Sequence, residues 1–122
     1  MKEDHTFITG RLKSLKYAVR GAYKLICTEH SIMVQSSLAV LLVVAGFYFN
    51  ISNEEWMFQT LVIGFVLAIE GLNTAVEKMA DFIHPEFHLK IGFIKDIAAG
   101  AVFFAALASI VVISLIYLPK LF

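Results

Sequence analysis

The sequence predicts an all-α membrane protein, with an N-terminal amphipathic surface helix followed by three transmembrane helices. Three observations support this fold class. Hydrophobic residues make up 59% of the 122 residues and the mean hydropathy is +0.78, well above the values of ordinary soluble domains. Three apolar segments are long enough to cross a hydrocarbon core of ~30 Å, which takes about twenty helical residues. The segment before them mixes apolar and basic residues with a helical period.

The surface helix is predicted over residues 7–29, approximately. Its apolar residues recur at intervals of three and four positions among basic ones, namely Phe7, Ile8, Leu12, Leu15, Val19, Tyr23 and Ile26 among Arg11, Lys13, Lys16, Arg20 and Lys24. This pattern is typical of a basic helix that lies on a membrane surface. The spans follow at about 32–49, 56–80 and 97–118. The first begins too far into the chain for a typical signal peptide, so we expect it to be permanent.

The distribution of charge predicts how the chain crosses the membrane. The basic surface helix predicts a cytoplasmic N-terminus, because cytoplasmic segments carry the excess of Lys and Arg. The turn "NISNEE" has acids and no bases, and it should face outward. The next connection returns Lys78, Lys90 and Lys95 to the inside, and Pro85 should end the preceding helix. We therefore expect one multi-pass domain over residues 1–122. Three spans bury little surface by themselves, which favours a homo-oligomer.

The net charge, the single cysteine and two aromatic residues give further expectations about function. The formal net charge is zero, which predicts no nucleic-acid partner. Cys27 is the single cysteine and is interpreted as a small apolar residue. Trp56 and Tyr117 are interpreted as members of the aromatic belts at the two membrane surfaces.

Four polar residues lie along the second span, where charged groups are expensive and need a partner or a task. They are Glu70, Asn73, Glu77 and Asp81, and their spacing places them within roughly 60° of one helix face. Counted from Trp56 at ~1.5 Å per residue, Glu70 lies roughly 21 Å along the helix and Glu77 roughly 31 Å. We call this set the polar stripe; it should run from the hydrocarbon to the cytoplasmic surface.

Other polar residues are predicted to reach the same surface. Glu29 closes the surface helix, while Lys95 and Asp96 stand where the third span starts. Mg²⁺ is commonly held by one or two carboxylates together with substrate phosphates. A lysine offers a compact positive charge for phosphate oxygens. The sequence has no P-loop motif. These residues therefore predict a metal and phosphate site at the membrane surface, but they do not name the reaction.

Two other functions use the same residues. In the first, the stripe from Glu70 to Asp81 conducts ions in a small transporter or proton-relay subunit. That function would need polar groups across the full depth of the membrane, whereas these gather at one end. In the second, the stripe only makes hydrogen bonds in a structural membrane subunit. Replacing Glu70 would then have no effect on any activity.

Two motifs resemble those of the small prokaryotic diacylglycerol kinase family. The stretch "EGLNTAVEKMAD" is similar to the signature E-x-L-N-[ST]-A-[IV]-E-x-x-x-D, and "IKDIAAGAV" is similar to K-D-[IM]-[AG]-[AS]-[GA]-A-V. The resemblance covers nearly the whole chain. The stretches "HPEFHLKIGFIKD" and "LPK" look closer to the Gram-positive-type branch, which is often assigned to undecaprenol phosphorylation.

This resemblance implies an activity, a location and an assembly. The enzyme would transfer the γ-phosphate of ATP, with Mg²⁺, to the primary hydroxyl of undecaprenol or diacylglycerol. It would lie in the bacterial cytoplasmic membrane as a homotrimer whose active sites are shared between protomers and face the cytoplasm.

The resemblance also implies a role for each site residue. Glu70 would be the general base at the lipid hydroxyl, and Asn73 would help to fix the site. Glu29 and Glu77 would hold the metal. The residues implied to contact ATP are Tyr17, Glu29, Glu77, Glu86, Phe87, His88, Lys95 and Asp96. Arg11 would join Glu70 at the lipid substrate, and Asp81 would support the site.

Overall fold

The computed structural model describes residues 7–122, and these residues are helical apart from short connections. The helices are α1 (Phe7–Thr28), α2 (His30–Phe49), α3 (Asn53–Ile83) and α4 (Leu89–Leu121). Among the described residues, α2, α3 and α4 are the helices long and apolar enough to cross a membrane. The predicted all-α membrane fold is therefore confirmed. The predicted domain also includes residues 1–6, which lie outside the described part of the chain.

The surface helix ends in a sharp break. No residue of α1 is buried, as expected for a helix that lies on a membrane rather than inside a bundle. Glu29 then adopts an extended conformation, with φ −106° and ψ 120°, and α2 begins at His30. The backbone N–H of Glu29 still donates to the carbonyl of Leu25 at 3.1 Å. Glu29 was predicted to close the surface helix, and it forms the junction between two helices.

A tight turn joins α2 to α3. Asn50 has a left-handed conformation (φ 51°), which lets Ile51 N–H donate to the carbonyl of Gly46 at 3.1 Å. Ser52 and Glu55 then form a reciprocal capping box: Glu55 N–H donates to Ser52 Oγ at 3.2 Å, and Ser52 N–H donates to Glu55 Oε1 at 2.9 Å. Helices α2 and α3 consequently run antiparallel with a short, well-bonded connection.

The connection from α3 to α4 is short as well. Helix α3 ends at Ile83, because a residue that precedes a proline is disfavoured in the helical conformation. His88 caps α4, since its Nδ1 accepts a hydrogen bond from the N–H of Lys90 at 3.0 Å. Helix α4 thus begins before the third apolar span that the sequence predicts. Lys95 and Asp96 consequently lie inside this helix rather than at its start.

The small core lies near the turn between α2 and α3. Ile51, Ile116 and Tyr117 are buried there, and Trp56 packs against them from the side. Tyr117, which was interpreted as a belt residue, is only 8% exposed, and its hydroxyl donates to Gln59 Oε1 at 2.7 Å; its depth in the membrane stays a prediction. The hydroxyl has a polar partner inside the bundle and does not need the membrane surface.

Candidate active site

The polar stripe of α3 passes from a buried to an exposed environment. Glu70 is 8% exposed and Asn73 is half-buried, whereas Glu77 and Asp81 are exposed. All four belong to one continuous helix, so their common face follows from the helical period. Helix α3 therefore places acids both inside the bundle and at the exposed end of the stripe. We call this end, near the connection from α3 to α4, the open end.

The buried half of the stripe contains a polar atom without a hydrogen-bond partner. Within residues 7–122, Glu70 forms no ion pair, and Asn73 Oδ1 is the one buried side-chain oxygen or nitrogen that has no hydrogen bond. An unpaired buried acceptor costs about 1–3 kcal/mol. The unpaired Asn73 Oδ1 lies about one helical turn from the buried Glu70, so this part of the stripe has an acceptor free for a polar group such as a hydroxyl.

The end of α1 contacts α3 at two points beside the stripe. A Cβ atom built on Gly71 would lie 3.1 Å from Leu25 Cδ1, so the absence of a side chain at Gly71 allows the close approach. Farther along, Glu29 Oε2 lies 3.3 Å from Lys78 Nζ. Lys78 directly follows Glu77 in α3. The fold thus brings the carboxylate of Glu29 to the open end of the stripe.

Helix α4 contacts the stripe from another direction. Lys95 Nζ donates to Asp81 Oδ1 at 2.6 Å, which joins α4 to the last turns of α3. Asp96 is exposed beside it. Lys95 therefore stands at the end of the stripe with one carboxylate partner, and its remaining N–H groups can donate to other acceptors.

The donor set fits magnesium better than zinc. Among the described residues, no group of three or more His, Cys, Asp or Glu side chains could hold a metal ion. Structural zinc sites need four such ligands and catalytic ones usually three. Mg²⁺ is commonly bound by one or two carboxylates and completes its shell with waters and substrate phosphates. Glu29, which contacts Lys78, and Glu77, which precedes Lys78 in α3, are the two carboxylates that the resemblance implies for such a site.

The residues implied for the nucleotide loop lie against α4. His84 Nδ1 is 2.6 Å from the carbonyl oxygen of Glu86, and the ring of Phe87 lies beside Gly92. With His88 acting as the helix cap, the loop is folded onto the first turns of α4. It therefore lies at the same end of the bundle as Asp81 and Lys95.

Arg11 and Tyr17, which the resemblance implies for the site, lie in α1 away from the Asp81–Lys95 pair. The guanidinium of Arg11 lies 5.9 Å from the centroid of the Phe7 ring, and that of Arg20 lies 5.6 Å from the centroid of the Tyr17 ring. These contacts are internal to α1. Counted along α1 from Leu25, which contacts Gly71 of α3, Tyr17 is roughly 12 Å away and Arg11 roughly 21 Å. Within residues 7–122, neither side chain forms an ion pair or hydrogen bond with a carboxylate of the stripe.

Two residues with clear partners, Lys78 and Gln59, were not predicted from the sequence to have them. Lys78 was considered only for its charge, and nothing in the sequence pairs it with Glu29, which belongs to another helix. Gln59 is fully buried, and its Nε2 donates to the carbonyl of Leu42 at 3.1 Å. A signal did exist for Gln59, because a lone amide side chain inside an apolar span needs a partner.

The fold is that of a membrane protein, and the residues of its polar stripe are suited to the transfer of a phosphate group to a lipid. The stripe has a buried carboxylate at one end and acid–lysine pairs at the other. These are the groups that such a transfer needs. The sequence profile of the prokaryotic diacylglycerol kinase family matches residues 16–117. The chain belongs to this family and is a lipid kinase, as predicted.

Curated relatives agree with the family. The undecaprenol kinase of Bacillus subtilis (strain 168) is 38% identical over 109 residues, which cover 89% of each chain. The diacylglycerol kinase of Haemophilus influenzae is 30% identical over 100 residues, covering 82% of this chain and 85% of that protein. The diacylglycerol kinase of Synechocystis is 29% identical over 111 residues, covering 90% of this chain and 63% of the relative. These matches favour the kinase over the transporter and structural alternatives.

Proposed function

We propose that the protein transfers the γ-phosphate of ATP to the primary hydroxyl of a membrane lipid alcohol. The observation that carries this proposal is the single helix face on which Glu70 is buried and Glu77 is exposed. A lipid hydroxyl reaches the buried end from the bilayer, while ATP reaches the open end from water. The two substrates can therefore meet along one stripe.

In this reaction Glu70 accepts the proton of the lipid hydroxyl. The hydroxyl oxygen forms a bond to the γ-phosphorus, the bond from that phosphorus to the bridging oxygen breaks, and ADP leaves with the bond electrons. Phosphoryl transfer depends mostly on positioning and charge stabilisation, so one base and a few cations are sufficient. Asn73, one turn away with a free buried acceptor, orients the polar groups around Glu70.

The open end of the stripe binds the phosphates. Lys95 donates to phosphate oxygens, and Asp81 positions its ammonium. Glu29 and Glu77 would hold Mg²⁺, which when bound neutralises charge on the phosphates. The other nucleotide contacts proposed here are Tyr17, Glu86, Phe87, His88 and Asp96, and Arg11 is proposed to contact the lipid. ATP would then enter from the cytoplasm, in keeping with the positive surface helix.

Within residues 7–122, Arg11 and Tyr17 make ring contacts inside α1 and no ion pair or hydrogen bond to the stripe, which supports a homotrimer with shared sites. If α1 of one protomer completes the site of its neighbour, each active site takes its stripe from one chain and these α1 residues from another. A neighbouring protomer would also cover part of the apolar surface that α2, α3 and α4 leave exposed.

Mixing two impaired variants should therefore restore activity. We expect Arg11→Gln and Glu70→Gln chains, mixed in equal amounts and reassembled, to recover on the order of one quarter of the sites by random pairing in a closed ring. The measurement is lipid phosphorylation by mixed oligomers that have been verified by differential tags. The control mixes Glu70→Gln with Glu77→Gln, since both changes lie on α3 and no site can regain both acids. Equal activity in the two mixtures would contradict shared sites.

The lipid is proposed to be undecaprenol, with diacylglycerol as a second substrate. The relative at 38% identity is an undecaprenol kinase, and the loop over residues 84–96 resembles the Gram-positive-type branch. Both lipids present a primary hydroxyl to Glu70, so selection must come from the rest of the molecule. The groove between α2 and α4 is lined mostly by apolar side chains, including Leu38, Leu41 and Ile110. Such contacts discriminate by only about 1–3 kcal/mol for each methylene-scale difference.

We therefore expect measurable activity on both lipids, with undecaprenol slightly favoured. The test compares kcat/KM for the two lipids in one detergent, using ATP labelled at the γ-phosphate and extraction of the labelled lipid. A preference for diacylglycerol of roughly a hundredfold or more would overturn the choice of undecaprenol. Label in neither lipid would contradict the proposed reaction itself.

A further inference from the structure

Lys78 has no role in the site as proposed so far, yet it makes a direct contact with a proposed metal ligand. Its Nζ lies 3.3 Å from Glu29 Oε2. The Lys78 side chain is 68% exposed, whereas the Glu29 side chain is only 23% exposed. The lysine therefore reaches in from the open surface to a partly covered carboxylate, and it is next to Glu77 in the chain.

An ammonium and a magnesium ion compete for such a carboxylate. A carboxylate ligand lies 2.0–2.1 Å from Mg²⁺, so a lysine held at ion-pair distance from the same carboxylate would stand beside a divalent cation. Like charges at this separation repel each other, most strongly where solvent is partly excluded. The lysine stem is long, flexible and exposed here, which lets the ammonium move away at small cost.

We propose that Lys78 is the resting counter-ion of Glu29 and that the divalent cation displaces it when the site loads. This inference rests on the proposed function, in which Glu29 and Glu77 hold the metal. Before loading, the ion pair neutralises Glu29 and keeps the end of α1 against α3. Lys78 thereby weakens metal binding and sets the metal concentration at which the site fills.

The test measures binding of Mn²⁺ to the detergent-purified protein without nucleotide, by the loss of the electron paramagnetic resonance signal of free Mn²⁺. In Lys78→Met we expect the dissociation constant to fall about two- to fivefold, the range that corresponds to an exposed ion pair. The control is Lys90→Met, because Lys90 is at the same end of the bundle and makes no ion pair among the described residues. Lys90→Met should change the constant by much less. Lys78→Gln, with helix content checked by circular dichroism, guards against a folding defect in the first variant.

The sign of the change decides between the roles of Lys78. If the ion pair only tethers α1, Lys78→Met disorders the site and the dissociation constant rises, which overturns the proposal. An unchanged constant, or an equal change in Lys90→Met, also overturns it. A Glu29→Gln variant tests separately whether Glu29 binds the metal. It should weaken Mn²⁺ binding, and binding as tight as in the wild type would refute the metal role of Glu29.

Discussion

Replacing Glu70 by Gln is expected to abolish turnover while ATP binding stays close to that of the wild type. The substitution keeps the size of the side chain and removes the proton acceptor, and a positioned general base contributes about 10²–10⁴-fold to the rate. The proposed metal ligands and Lys95 lie nearer the open end of α3 and are not altered. The measurements are kcat from label transfer into lipid and ATP affinity from displacement of a fluorescent nucleotide.

The matched control for this experiment is Glu54→Gln. Glu54 is an exposed acid in the first turn of α3, at the opposite end of the same helix. Its replacement should leave turnover unchanged. If Glu70→Gln loses ATP affinity and turnover to the same extent, Glu70 belongs to nucleotide binding rather than to proton transfer. If turnover survives, Glu70 is not the base.

Replacing Gln59 by Ala is expected to produce the largest loss of stability among single changes outside the site. Gln59 is fully buried, and it connects three helices: its Nε2 donates to the carbonyl of Leu42 in α2, and its Oε1 accepts from the hydroxyl of Tyr117 in α4. Truncating a buried side chain of this size costs about 2 kcal/mol or more. Hydrogen bonds between membrane helices add ~0.6 kcal/mol each on average. The free energy of unfolding in mixed micelles measures the change.

Two further variants separate packing from hydrogen bonding. Tyr117→Phe keeps the ring and removes only the hydroxyl, so it should cost about 0.6 kcal/mol, and at most ~1.7 kcal/mol. Thr60→Ala changes an exposed neighbour of Gln59 and should have almost no effect. A loss in Gln59→Ala no greater than that in Thr60→Ala would show that the buried network does not stabilise the bundle.

The helices and the polar stripe could be predicted because both depend on residues close together in sequence. The apolar runs are long enough to require helices in a membrane, where each backbone group must be bonded within its own segment. Glu70, Asn73, Glu77 and Asp81 share a face of α3 because they share one helix with a fixed period. The family also followed from the sequence, since its two motifs are continuous stretches.

The start of α4 was harder to predict, because hydropathy does not register a capped amphipathic turn. The helix begins at Leu89, where His88 supplies the cap, although the residues up to Asp96 include two lysines and an acid. The apolar run alone predicted a later start for the span, at about residue 97. The loop around Glu86 is consequently shorter than the sequence suggests, and Lys95 lies on a rigid helix.

The sequence by itself determined the number and type of the helices, the stripe of acids and the class of reaction. Only the tertiary structure decided which side chains meet: Glu29 with Lys78, Lys95 with Asp81, and Tyr117 with Gln59. Each of these pairs joins two different helices. The rotation and the depth of one helix against another depend on side-chain packing along both surfaces, which no local pattern encodes. The charges were therefore visible in the sequence, but their partners were not.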